Sequence, residues 1–247
     1  MNKPSGKLCA LAFSALLLTA PVKNSAGRSA ESGIRNVSFT RAEEHSTVAT
    51  SAVSLYVVLK LRSMGLTKAA FEYAYRGYVF LEQKRMFAKA SVLTICDFSQ
   101  SSRRKRFFVI DLNKQKVLIN TYVAHGRMSG SEYASSFSNS PDSHKSSLGF
   151  YKTESTYYGG HGLALKIEGL EKGFNNKAEE RNIVIHGSDY VGAGFIKNNP
   201  FNGRSYGCPA VPANQVQHVI NLIKDGTCLF IYHPTKSYLT HSRILNS

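Results

Sequence analysis

Cys208 and His186 are the two residues whose types and surroundings could support nucleophilic chemistry. Cys208 lies between Gly207 and Pro209 in a segment typical of a loop. His186 ends the strand-like segment NIVIHG. Cysteine attacks carbonyl carbons as the thiolate, and a nearby imidazole can serve as its base and lower its pKa. A glycine before the nucleophile lets adjacent amides point at one place, as an oxyanion hole requires. The pair therefore predicts acyl transfer through Cys208.

The bare pair leaves other interpretations open. A single cysteine is often a buried, unreactive side chain, and one of 8 histidines can be a packing residue. Zinc binding by Cys208 and His186 is a further alternative, but no paired CxxC or HxxxH spacing supports it. No G-x-S-x-G elbow surrounds Ser205, so a serine hydrolase is not indicated. We expect neither a metal nor a cofactor.

A longer string around the pair resembles a known family. His186-Gly187-Ser188 followed by Ser205-Tyr206-Gly207-Cys208 is similar to the signature of YkuD-type L,D-transpeptidases, a His-Gly and then a Ser-x-Gly-Cys. Three more segments resemble a sub-branch of it, the murein L,D-transpeptidase catalytic domain: YVAHG (122–126), SFSNSPDSHKSSLG (136–149) and GTCLFIYHP (226–234). The resemblance covers residues 50 to 235, and several motifs in one order make chance agreement improbable.

The resemblance implies a role for each matched residue. Cys208 would be the nucleophile and His186 the general base and then acid, with the carbonyl of Gly187 orienting the imidazole. The amides of Gly207 and Cys208, together with Tyr206, would hold the oxyanion. Arg204 and Ser205 would shape the groove.

Two departures from the common family pattern affect substrate contacts. Tyr206 stands where histidine is usual, and Pro209-Ala210 stands where asparagine or arginine soon follows. We expect Arg204, His144 or Lys145 to make the corresponding contacts.

The resemblance also implies a substrate and a reaction. Cys208 would attack the peptidoglycan tetrapeptide stem between diaminopimelate and the terminal D-alanine, and an amine of a second stem would resolve the thioester. The products would be cross-links between two diaminopimelate residues, or stems with an exchanged terminal D-amino acid. Two alternatives stay open. If water resolved the thioester in place of an amine, the protein would be an L,D-carboxypeptidase or cross-link hydrolase. If Cys208 were only structural, the protein would be a noncatalytic basic wall-binding protein.

Segment patterns, with the resemblance, predict a mainly β fold with flanking helices, a bent or sandwich-like sheet. Residues 47–90 predict a helical hairpin packed on the catalytic domain, with Thr67 capping the second helix and Gly65 ending the first. The aromatic stripe of Phe71, Tyr75 and Tyr78 favours core packing over peptide binding. The catalytic domain would span 91–235, ending in the apolar segment CLFIYH that closes the sheet, and 236–247 would be a C-terminal tail.

The first residues predict export. Lys3 and Lys7 precede a short apolar run, Leu8 to Leu18, which fits a signal peptide 1–26 cleaved after Ala26 better than an uncleaved anchor. A flexible leader would occupy 27–46. We therefore expect the mature protein in the periplasm or cell envelope, without a membrane span.

Charge and cysteine count agree with that location. The formal charge of +15 favours an anionic partner, and export favours the cell-wall polymer over nucleic acid. After signal cleavage, Cys96, Cys208 and Cys228 remain, so at least one thiol stays free in a monomer, which is the state we expect. Cys96 and Cys228 lie in strand-like segments and are either buried thiols or a disulfide.

Overall fold

The computed structural model describes residues 41–160 and 162–247, so the predicted signal peptide 1–26 lies outside the described residues. The helices are α1 (Arg41–Val58), α2 (Lys68–Gln83), α3 (Ala193–Asn198), α4 (Val216–Ile223) and α5 (Lys236–His241). The strands are β1 (Val92–Asp97), β2 (Phe107–Asp111), β3 (Lys116–Thr121), β4 (Gly149–Gly159), β5 (Gly162–Gly169), β6 (Val184–Ser188), β7 (Ala210–Pro212) and β8 (Cys228–Tyr232). Within those ranges no helix is both long and apolar enough to cross a membrane.

The described strands form one eight-stranded mixed sheet in the order β3-β2-β1-β8-β4-β5-β6-β7. The β1–β8 and β6–β7 pairs are parallel, and the others are antiparallel. Helices flank this sheet, which confirms the predicted mainly β class with flanking helices. One apolar core runs from the helical hairpin through the central strands to the C-terminal residues.

The position of β8 differs from the expectation that CLFIYH closes the sheet. It lies in the middle, between β1 and β4, and all five of its residues are buried. An apolar run without alternation is typical of a strand covered on both faces. The register pairs Leu93 with Cys228 and Cys96 with Ile231, so the two cysteines are three positions apart, about 10 Å along the strands. Both are free, buried thiols.

The hairpin of α1 and α2 differs from expectation at its ends. Helix α1 begins at Arg41, before the predicted boundary at 47 and inside the predicted leader 27–46, and it ends at Val58. Turns then carry the chain to Gly65, whose φ of 92° is favourable only for glycine. Thr67 caps α2 as expected, accepting a bond from the amide of Ala70 at 3.3 Å. Phe71 and Tyr78 are buried in the core, which supports packing as their role.

Two C-terminal segments also depart from the predicted pattern. The pattern of PANQVQHVINLIKDG predicts one amphipathic helix with Pro212 near its start and Gly226 at its end. In the structure Pro212 ends β7, and a 3-10 helix (Ala213–Gln215) separates it from α4, so the helix is shorter. The predicted tail 236–247 contains α5, and Tyr238 packs in the core at 1% exposure. Apolar side chains beyond residue 235 explain why this segment folds onto the sheet.

Candidate active site

Cys208 and His186 belong to the two segments that pair as β6 and β7. Strand β6 carries His186, and Cys208 precedes β7 by two residues. His186 pairs with Ala210, so the same parallel register places Cys208 opposite Val184. The amide of Val184 lies 3.5 Å from Sγ of Cys208. Val184 and His186 are about 7 Å apart along the strand, so Cys208 and His186 occupy neighbouring positions of the β6–β7 pair.

The imidazole of His186 is almost fully buried at 4% exposure, and its Nδ1 lies 3.0 Å from the carbonyl oxygen of Gly187. A carbonyl oxygen can only accept, so Nδ1 carries a proton, and in the neutral ring the lone pair then lies on Nε2. In that neutral form Nε2 is the atom that can act as a base. Gly187 itself is constrained, because a Cβ there would lie 2.9 Å from Cγ1 of Val216.

Ser205 holds the nucleophile turn rather than lining a groove. It is buried, and its hydroxyl donates to the carbonyl oxygen of Cys208 at 2.6 Å while accepting from the amide of Gly207 at 3.1 Å. Gly207 has a φ of 129°, a conformation that side-chain-bearing residues rarely adopt. Because it donates to the hydroxyl of Ser205, the Gly207 amide is already hydrogen-bonded within the turn. This arrangement differs from the expected role of the Gly207 amide as an oxyanion donor.

Three separate segments are bonded together beneath this turn. The hydroxyl of Ser146 accepts from the amide of Gly126 and donates to the carbonyl oxygen of Gly207, each at 3.0 Å. The amide of Ser146 donates to the hydroxyl of Ser129 at 2.9 Å. The Ser-rich loop, residues 125–147, therefore forms a wall of the site, and its polar groups fix the position of the turn.

Tyr206 and His144 form the outer surface beside the nucleophile. Tyr206 is 63% exposed, and its ring meets the imidazole of His144 edge to face with centroids 4.6 Å apart. Lys145, another expected substrate contact, donates instead to the hydroxyl of Ser136 at 2.8 Å. Arg204 is exposed and donates to the carbonyl oxygen of Gly130 at 3.1 Å.

Arg181 is a charged neighbour of the nucleophile that the sequence did not indicate. Its guanidinium donates to the carbonyl oxygens of Ser138 at 2.8 Å and Lys145 at 2.6 Å, which ties the Ser-rich loop to the start of β6. A Cβ on Gly207 would lie 3.3 Å from its Nη2. A single arginine ahead of a strand belongs to no motif, so only the folded chain shows that it lies beside Cys208.

The electrostatic balance at Cys208 favours a neutral thiol in the resting site. Burial raises the pKa of Cys208 above its ordinary value, while the Val184 amide and the Arg181 guanidinium act in the opposite direction. A thiol of raised pKa needs a base to become a nucleophile. Among the described residues, no group of three or more His, Cys, Asp or Glu side chains is arranged to hold a metal ion.

His125 packs beneath the site rather than facing a groove. Its Nδ1 lies 2.7 Å from Nη2 of the fully buried Arg106, and its backbone carbonyl accepts from the amide of Ser205 at 3.0 Å. Because a guanidinium only donates, Nδ1 accepts and the ring is neutral. Burial and then the Arg106 charge lower the pKa of His125 to about 3, and burial lowers that of Arg106 to about 9.

A cleft of about 660 Å³ lies along β4, β5 and β6, close to Cys208. Its lining includes Val184 and Asn182, whose amide nitrogen and carbonyl oxygen respectively lie 3.5 and 3.7 Å from Sγ of Cys208. Glu154, Glu168 and Glu179 also line it. The cleft can therefore hold a chain-like ligand beside the thiol.

A cysteine and a histidine at neighbouring positions of the β6–β7 pair define a candidate Cys/His enzyme site. A family model described as the L,D-transpeptidase catalytic domain matches residues 62–232. Since this span is more than half of the 247 residues, the chain belongs to the L,D-transpeptidase catalytic domain family. The resemblance stated from the motifs is thereby confirmed. No curated protein matches the chain.

Solved structures similar to this chain include three L,D-transpeptidases of low sequence identity. One from Mycobacterium smegmatis is 10% identical over 58% of this chain and 59% of its own, with a TM-score of 0.36. L,D-transpeptidase 3 from Mycobacterium tuberculosis is 10% identical over 58% and 61%, with a TM-score of 0.38. One from Stackebrandtia nassauensis is 11% identical over 75% and 78%, with a TM-score of 0.35. The chain thus spans about three fifths of the first of these structures.

Proposed function

We propose that this protein is a peptidoglycan L,D-transpeptidase that forms a thioester on Cys208. The observation that carries the proposal is the register that brings Cys208 and His186 to neighbouring positions of the β6–β7 pair, with Nδ1 of His186 bonded to the carbonyl oxygen of Gly187. Export through the predicted signal peptide 1–26 and action in the cell envelope belong to the same proposal.

Acylation begins with proton transfer from the neutral thiol to Nε2 of His186. Sγ then attacks the carbonyl carbon between diaminopimelate and the terminal D-alanine of a tetrapeptide stem. The Gly207 amide is already bonded to Ser205, so the amides of Cys208 and Tyr206 stabilise the oxyanion. The imidazolium returns its proton to the leaving amine, D-alanine departs, and the acyl group stays on sulfur.

Deacylation needs an amine from a second stem. This amine enters the 660 Å³ cleft, whose walls carry three glutamates and one lysine. Glu154 and Glu168 are paired with Lys152, and Glu179 adds a further negative charge that favours a cationic acceptor. The acceptor ammonium first loses a proton to water, and His186 removes a second proton from the neutral amine as it attacks the thioester carbonyl. The C–S bond breaks, the imidazolium returns its proton to the cysteine thiolate, and the new amide bond joins two stems without an external energy source.

Product analysis of muropeptides tests the transferase against the hydrolase. Purified disaccharide-tetrapeptides would be incubated with the wild type, with Cys208→Ser and with His186→Gln, and the products identified by mass. The wild type should release D-alanine and form tetrapeptide–tripeptide dimers, whereas both variants should be inactive. Release of D-alanine without dimers would contradict transfer and indicate a carboxypeptidase. No reaction at all would overturn the assignment of the site.

A further inference from the structure

A second cleft of about 450 Å³ borders the nucleophile turn and contains two arginines. Its walls include Arg127, Arg204 and Tyr206, together with two further aromatic side chains, Phe195 and Phe201. Tyr206 is two residues before Cys208, so this cleft, here called the arginine cleft, adjoins the turn that carries the thiol. The first cleft carries glutamates, and this one carries guanidinium groups.

Aromatic rings fix the orientation of both guanidinium groups. Cζ of Arg127 lies 5.5 Å from the ring centroid of Tyr206, and its Nη1 donates to the phenolic oxygen at 3.4 Å. Cζ of Arg204 lies 5.7 Å from the ring centroid of Phe201. Arginine that is held against a ring loses less conformational freedom when it binds a ligand. The cleft is thus arranged for binding before any substrate arrives.

The positive charge of the arginine cleft has no carboxylate partner in residues 41–160 and 162–247. The ion pairs found there involve lysines, and neither Arg127 nor Arg204 takes part in one. Arg204 instead donates from Nη1 to the carbonyl oxygens of Gly130 at 3.1 Å and Arg127 at 3.5 Å. Two cations lining one cleft repel each other, and an anion between them removes that cost.

A carboxylate is the anion that suits these groups. The planar guanidinium fork matches the two oxygens of a carboxylate and can bind them with parallel hydrogen bonds. The peptide stem of the proposed reaction carries free carboxylates near the bond that is cleaved. One belongs to the terminal D-alanine, and another belongs to the side chain of diaminopimelate.

We infer that Arg127 and Arg204 form a carboxylate-binding subsite that holds the donor stem peptide for attack by Cys208. This inference rests on the proposed function, because it assigns the part of the substrate that the arginine cleft recognises. It also places donor recognition on the basic side of the turn and leaves the 660 Å³ cleft to the acceptor.

Rates of acyl-enzyme formation measured against peptide concentration test the subsite. Three synthetic tetrapeptide stems would be compared: the free acid, one amidated at the D-alanine carboxyl and one amidated at the diaminopimelate side-chain carboxyl. Arg127→Gln and Arg204→Gln would be tested beside Arg127→Lys and Arg204→Lys, with Arg62→Gln as an exposed arginine control in the helical hairpin. Alkylation of Cys208 by neutral iodoacetamide would check that each variant keeps the site intact.

Loss of one charged hydrogen-bond partner should raise the half-saturating concentration about tenfold or more for the free-acid peptide. The peptide amidated at the recognised carboxyl should bind the wild type equally poorly, and the glutamine substitutions should then add little. The identity of that peptide distinguishes the D-alanine carboxylate from the side-chain carboxylate.

An equal rise in the half-saturating concentration for all three peptides, or no rise with either glutamine variant, would overturn the subsite while leaving the proposed function intact. If the wild type formed no adduct with any peptide, both the proposed function and the subsite would be overturned. Arg62→Gln should behave as the wild type throughout.

Discussion

Neighbouring groups shift the pKa of the Cys208 thiol in opposite directions. Burial raises its pKa, and the Val184 amide and Arg181 guanidinium lower it. Nδ1 of His186 lies 3.0 Å from the carbonyl oxygen of Gly187, so the proposed role as base falls to Nε2. The reactivity of the site therefore depends on neighbours that do not touch the substrate as well as on the pair itself.

Substitution of Arg181 tests whether its charge lowers the pKa of the Cys208 thiol. Arg181→Gln is expected to shift the pH profile of Cys208 alkylation by iodoacetamide to higher pH, because removal of the guanidinium charge raises the thiol pKa further. Arg181→Lys should return part of the shift, since it keeps the charge. Background reaction of the buried Cys96 and Cys228 would be measured in Cys208→Ser. Superimposable profiles for wild type and Arg181→Gln would contradict the electrostatic role.

Residue types predicted the reacting pair but not its surroundings. Cys208 and His186 stand out because a Gly-Cys-Pro loop and a strand-end histidine are uncommon contexts. Arg181 and Arg127 carry no such local signal, and their roles depend on contacts across the fold. Ser205 was expected in the groove, yet its short polar side chain bonds within its own turn, as serine commonly does.

Among the secondary-structure elements, helix α2 packs so closely against the sheet at Gly77 that a larger side chain there would meet the sheet. A Cβ placed on Gly77 of α2 would lie 2.1 Å from the ring of Phe150 on β4. Phe150 in turn stacks on Phe230 of β8 with centroids 4.1 Å apart. The helical hairpin is thereby joined to the central strands.

Gly77→Ala is expected to lower the free energy of unfolding by about 1–3 kcal/mol, because the added methyl group overpacks this contact. Gly194→Ala in α3 is the matched control. A Cβ there meets nothing within 4 Å, so the substitution should be neutral or slightly stabilising. Urea denaturation would measure both, and equal stability of the two variants would contradict the close packing of α2.

Local pattern explains which elements were predicted and which were not. The β2–β3 hairpin joins two neighbouring segments, RFFVIDL and KVLINTYVA, whose strand-like patterns and the turn-like Asn113-Lys114 between them predict it. The parallel pairing of β1 with β8 joins residues more than 130 positions apart, and no local signal encodes it. Helix α3 is six residues long inside a loop and lies below the length at which periodicity is informative.

At the scale of the whole molecule, the C-terminal segment completes the domain. Buried Glu171 accepts from the amide of Phe150 and the hydroxyl of Tyr238, each at 2.8 Å, and from the hydroxyl of Ser242. One carboxylate thus joins β4 to α5 and to the chain that follows it. Ile244 and Leu245 are buried beyond it.

Glu171→Ala is expected to lower the free energy of unfolding by about 3 kcal/mol, because it leaves buried donors without an acceptor. Tyr238→Phe removes a single donor and should cost about 1 kcal/mol. Thermal and urea unfolding of the two variants would give the order of these losses. A larger loss for Tyr238→Phe than for Glu171→Ala would contradict the role of the carboxylate as the shared acceptor.

The central claim is that Cys208 is acylated by a peptidoglycan stem peptide. Intact mass of the wild-type protein incubated with free tetrapeptide, followed by proteolytic mapping of the adduct, tests it most directly. The account predicts a mass increase equal to the tripeptide acyl group, located on the fragment that contains Cys208 and absent from Cys208→Ser. An unmodified protein, or an adduct located on another residue, would contradict it.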